Sequence, residues 1–111
     1  MSKSIPKFLY SRSNSKNIDL EQLVDTIKTS ELVILYSPWC GYSKNALELL
    51  NKNHISHISI DIDHIGGTMD LIRSRLAKEK SLQFPKSYST RPMIFINGKF
   101  IGGYSELRDK L

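Results

Sequence analysis

The chain has 111 residues, of which 40% are hydrophobic and 24% charged, with a formal net charge of +5 and one cysteine. This length holds one domain with a modest core, no apolar run approaches the ~18 residues of a membrane-spanning helix, and one thiol excludes both a disulfide framework and a cysteine-built zinc site. The charge is uneven: residues 1–17 hold Lys3, Lys7, Arg12 and Lys16 and no acid, so the rest of the chain is nearly neutral. That speaks against a nucleic-acid partner, which calls for basic and aromatic residues clustered on the folded body.

Residues 1–17 are Ser-rich and lack the apolar stretch of a secretory signal. They are expected to form a loose basic extension, with an organellar transit peptide as the alternative. Residues 18–111 are expected to form the domain. Leu20, Leu23, Val24 and Ile27 then make one apolar helical stripe, with Asp19 and Gln22 in capping-box positions. Leu32 to Tyr36 is a short unbroken apolar run, the signature of a central strand buried on both faces. Ser37 to Tyr42 ends it, and a second helix carries Ala46, Leu47 and Leu50 toward a core.

Ile58, Ile60 and Ile62 alternate with polar residues, the period of a half-covered strand. Gly66-Gly67 turns the chain, and Thr68 is placed to cap a helix burying Met69, Ile72 and Leu76. Residues 81–91 read as a polar loop. Asn97-Gly98 between two apolar runs predicts a tight hairpin, because both turn positions need positive φ. After Gly102-Gly103, Ser105 is the expected cap of a last short helix carrying Leu107 and Leu111. His54 and His57 form H-x-x-H across a helix-to-strand change and His64 stands apart, and no metal site is expected of them.

Cys40 carries the chemistry. It stands where a buried strand passes into a helix, so unpaired helix N–H groups and the helix dipole favour its thiolate, the nucleophilic form. Trp39-Cys40-Gly41-Tyr42-Ser43 resembles the C-x-x-C or C-x-x-S site of the glutaredoxins. Thr90-Arg91-Pro92 resembles their T-V-P segment, and Met93 to Ile96 followed by Gly102-Gly103-Tyr104-Ser105-Glu106 resembles their strand, hairpin and G-G-x-S-D segment. Three motifs agree in order and spacing from about Leu32 to the end. Thioredoxins share W-C-G but lack the double glycine followed by a polar residue and an acid.

The resemblance implies an α/β thioredoxin fold: a central four-stranded mixed sheet flanked by helices, here with an extra N-terminal helix. Pro92 would follow a cis peptide bond and sit against Cys40. Glutathione would lie against Tyr42, Thr90, Arg91, Pro92, Gly103, Tyr104, Ser105 and Glu106. The Arg91 main chain would pair with it like an added strand, and Glu106 would take its ammonium group. Several positions depart from the family. Ser43 replaces the second Cys, so no intramolecular disulfide can form. Arg91 stands in place of Val, and Gly41 in place of Pro. Ser37 stands where many dithiol members have Lys, and Lys44 or Arg91 would supply the missing charge beside the thiolate. The body thus looks like the dithiol class carrying a monothiol site.

Two functions follow from the resemblance. One is a glutathione-dependent thiol-disulfide oxidoreductase that removes glutathione from proteins or small mixed disulfides through Cys40 alone, as a monomer. The other is a carrier, in which Cys40 from two chains and two glutathione thiolates ligate a [2Fe–2S] cluster in a dimer. Either points to a reducing compartment, the cytoplasm, and to no membrane partner.

Overall fold

The computed structural model describes residues 18–111, so the basic extension expected over residues 1–17 lies outside the described residues. Asp19 opens helix α1 (Leu20–Thr29): its carboxylate accepts from the Gln22 N–H, and the Gln22 side chain accepts from the Asp19 N–H. Both bonds satisfy donors that a helix start otherwise leaves unpaired. Strand β1 (Leu32–Tyr36) follows, then helix α2 (Gly41–Lys52), strand β2 (Ile58–Asp61) and helix α3 (Met69–Lys78). Strands β3 (Met93–Ile96) and β4 (Lys99–Gly102) form the hairpin, and helix α4 (Tyr104–Lys110) closes the chain. Asn97 and Gly98 both have positive φ, +51° and +77°, as the turn requires.

Among the described residues the sheet has four strands in the order β2-β1-β3-β4. β1 runs parallel to β2 and antiparallel to β3, and β4 is antiparallel to β3. The alternation along β1 explains its unbroken apolar run. Val33 and Leu35 join α1 and α3 on one face, through Leu23, Val24, Ile27, Ile72 and Leu76. Leu32 and Ile34 join α2 and α4 on the other, through Ala46, Leu50 and Leu107. Each such side chain, fully buried, contributes about 1.5–3 kcal/mol. These layers are those of the thioredoxin fold.

Four local expectations need correction. Ile62 is buried but lies beyond β2, in a 3-10 turn (Ile62–His64) that begins where the Asp61 carboxylate accepts from the Asp63 N–H. The segment expected as a polar loop holds a 3-10 turn (Lys80–Leu82) and buries Leu82 and Phe84 in the core. Ser105 does not cap α4: Gly103 occupies that place, and the Glu106 carboxylate accepts from its N–H at 2.8 Å. Leu111 lies just past the last helical residue and is exposed, so it does not join Leu107 in the core.

Candidate functional site

β1, an inner strand, ends at Tyr36, and a tight turn follows. The Cys40 N–H donates to the Ser37 carbonyl at 3.0 Å across this turn. Cys40 then takes the N-cap position of α2 with extended backbone, and its carbonyl accepts from the Lys44 N–H. The thiol is part-buried and free.

Burial acts to raise the Cys40 thiol, but other groups outweigh it. The Ser43 N–H and hydroxyl, the Tyr42 N–H and the positive charge of Arg91 all favour the thiolate, and the thiol lies below its ordinary value. Lys44, the other cation expected to act on the sulfur, is exposed and is not among the groups that lower it. On the far side of the sulfur stands the Arg91 carbonyl, which the protonated thiol reaches as a donor at 3.8 Å. The Arg91–Pro92 bond is cis, as the resemblance implied.

Ser43 has a part that the sequence does not reveal. It is fully buried, and its hydroxyl oxygen accepts the Ser37 N–H at 3.2 Å. The same hydroxyl is among the groups that favour the Cys40 thiolate. Ser37 is also fully buried, and its own hydroxyl has no partner among the described residues. The position that carries Lys in many dithiol glutaredoxins is thus an interior corner here, and it leaves Arg91 as the cation that acts on the sulfur.

Arg91 is part-buried, and its guanidinium lies 5.1 Å from the centre of the Trp39 ring. Trp39 and Tyr42 are among the most exposed large side chains, at 68% and 64%. Tyr42 approaches Tyr104 with ring centres 6.5 Å apart, and the Arg108 guanidinium lies over the Tyr104 ring. Pro92 and Gly103 are buried at the floor, while Gly41, Thr90, Ser105 and Glu106 are exposed. A Cβ on Gly103 would come within 3.3 Å of the Pro92 carbonyl, so the two segments are in near contact. The thiol thus faces the cis-proline segment through the Arg91 carbonyl, with the Trp39 ring against the Arg91 guanidinium and the Tyr42 ring near Tyr104.

The chain is similar to known proteins over most of its length. The glutaredoxin family model matches residues 32–101. A probable glutaredoxin of Acanthamoeba polyphaga mimivirus is 37% identical over 76 residues, 68% of this chain and 72% of that protein. The chloroplastic monothiol glutaredoxin-S12 of Arabidopsis thaliana is 31% identical over 101 residues, 90% of this chain and 53% of the relative, so the chain spans about half of that protein's length. Among solved structures, a buckwheat glutaredoxin–glutathione complex superposes with a TM-score of 0.66 at 26% identity, covering 82% of this chain and 76% of that one.

Proposed function

The chain belongs to the glutaredoxin family of thiol–disulfide oxidoreductases, and from this premise we propose that it removes glutathione from mixed disulfides through Cys40 alone. The observation that carries the reading is the placement of Cys40: its thiol sits at the start of α2, lowered by Ser43, Tyr42 and Arg91 and facing the Arg91 carbonyl. The likeness to a glutathione-bound glutaredoxin supports glutathione as the co-substrate.

The Cys40 thiolate attacks the glutathione sulfur of a mixed disulfide. A new S–S bond joins Cys40 to glutathione, the old one breaks, and the other partner leaves as a thiolate that takes a proton from water. A second glutathione thiolate then attacks the glutathione sulfur held on Cys40, giving glutathione disulfide and restoring the Cys40 thiolate. Each step exchanges one S–S bond for another, so one protein thiol suffices. Ser43, having no sulfur, takes part in neither bond.

The other residues bind and orient. The Arg91 main chain pairs with the peptide of glutathione. Tyr42 and Tyr104 wall the cleft, and Thr90 borders it. At the far end Glu106 gives one carboxylate oxygen to the Gly103 N–H and keeps the other for the ammonium group. Substrates are glutathionylated proteins or small mixed disulfides, met as a monomer in a reducing compartment such as the cytoplasm.

A [2Fe–2S] cluster takes four sulfurs, and this chain supplies one. In the carrier reading the other three would come from Cys40 of a second copy and from two glutathione thiolates, so Cys40 is the residue that would hold the cluster, and no step of the exchange runs through it.

The test is turnover of a small glutathione mixed disulfide with glutathione as reductant. Wild type should turn over, and Cys40→Ser should be inactive. Equal rates in the two proteins would overturn the reading.

A further inference from the structure

We propose that Tyr88 is a positioning residue, which sets the spacing between the Arg91–Pro92 segment and the Gly102–Gly103 turn, the two main-chain walls of the cleft. This rests on the glutathione reading of the site.

Tyr88 lies in the segment between α3 and β3. Its ring is wedged edge-on against Phe84, with centres 6.2 Å apart, and against Phe100, with centres 4.7 Å apart. Phe84 is itself buried and packs on Phe95 and Phe100. The core thus fixes the ring, and the ring fixes the hydroxyl.

That hydroxyl stands between the two walls. It donates to the Pro92 carbonyl at 3.4 Å, long for an O–H···O bond. It also lies 2.7 Å from the point where a Cβ on Gly103 would be. No real Cβ tolerates such an approach, so glycine at 103 and a hydroxyl at 88 fit each other. The β3–β4 ladder makes this contact matter. Its last rung toward the site pairs Ile94 with Gly102, next to an irregularity in register at Ile94–Phe95. Beyond that rung Pro92 has no N–H to give, and its carbonyl takes the Tyr88 hydroxyl. Because the bond is long, its contribution is mainly one of spacing.

The experiment is a cycle of Tyr88→Phe, Gly103→Ala and the double variant. For each, KM and kcat on a small glutathione mixed disulfide and the thermal midpoint are measured. Tyr88→Phe removes the spacer oxygen and should raise KM several-fold with kcat near wild type. Gly103→Ala drives a methyl into the hydroxyl and should raise KM by about tenfold, the scale of one overpacked contact. In the double variant the methyl takes the space left by the oxygen, so KM and thermal midpoint should both recover beyond the Gly103→Ala values. If Gly103→Ala alone does not fold, recovery of soluble protein in the double variant is the rescue.

Additive losses in KM and thermal midpoint would show that the two residues do not meet, and would overturn the inference. Rescue of the midpoint with KM unmoved in Tyr88→Phe would make Tyr88 a packing residue only, and overturns it equally. If wild type itself fails to turn over the mixed disulfide, the glutathione reading falls, and the midpoint cycle still decides whether the hydroxyl spaces the two walls.

Discussion

Replacing Ser43 by Ala removes one oxygen that has two neighbours. The buried Ser37 N–H loses its acceptor, which was 3.2 Å away. An orphaned buried donor costs about 1–3 kcal/mol, and each kcal/mol lowers the thermal midpoint by about 4–8 °C in a domain near this size. The second loss falls on Cys40. A hydrogen bond to a charged group is worth about 1.5–3 kcal/mol, and 1.4 kcal/mol is a factor of ten. Cys40 is only part-buried, so water makes up some of the loss and the low end of that range applies. The sign follows from the role of the hydroxyl: it lowers the thiol, so its removal moves the thiol upward. Alkylation of Cys40 by iodoacetamide, followed against pH, should therefore show a later rise in Ser43→Ala and the same plateau at high pH. Turnover of the mixed disulfide should persist at a reduced rate, since Ser43 forms no covalent bond. An alkylation profile that superimposes on wild type would refute the part of the Ser43 hydroxyl in lowering the thiol.

Arg91→Val should weaken use of glutathione several-fold at low salt and less at high salt, because screening acts on exposed charge; equal apparent affinity at low salt would return Arg91 to the role of a surface cation. Phe84→Ala should lower stability by about 3–5 kcal/mol in denaturant titration, since the ring is buried against Phe95 and Phe100; a loss below ~1 kcal/mol would show that the 81–91 segment does not belong to the core. Arg75 bonds Glu21 of α1 and Glu79 after α3; its hydrogen bond holds the Glu21 carboxyl below its ordinary value, and hydrogen bonds from Lys28 and Arg75 do the same for Glu79. Groups lowered on folding add stability above their unfolded pKa and lose it as pH falls through the folded one. Arg75→Gln should therefore lower the thermal midpoint near neutral pH, with the gap to wild type closing in strong acid. A gap that stays constant with pH would show that packing of the Arg75 stem, rather than its charge, joins the helices.

Where one residue type answers one local demand, the sequence was a sufficient guide. The Asp19–Gln22 cap, the doubly buried β1 and the Asn97-Gly98 turn all rest on neighbours a few residues apart, and each formed as expected. The thiol, the cis Arg91–Pro92 bond and the Gly102–Gly103 turn were legible through motifs whose order survives along the chain. What stayed hidden depends on contacts across the fold. Leu82 and Phe84 have no periodic companions, so nothing local marks them as core. Ser105 looks like a cap, yet Glu106 reaches back to the Gly103 N–H first and moves the start of α4. Ser43 reads as a missing sulfur, and its bond to Ser37 appears only when β1 and α2 are folded against each other.

The central place of β1 also dictates an order of assembly. One edge of β1 pairs with β2, which follows soon after it in the chain. The other edge must wait for β3, with Leu32 facing Ile96. During synthesis the Leu-Val-Ile-Leu-Tyr segment therefore leaves the ribosome with one edge open until nearly the whole domain has been made. An unpaired apolar strand is a template for association with other chains. The nascent chain is thus most exposed to aggregation in the interval between the emergence of α2 and that of the hairpin. A ribosome stalled at residue 90 should hold a protease-sensitive, chaperone-bound chain, whereas one stalled well past Leu111 should release a resistant fold.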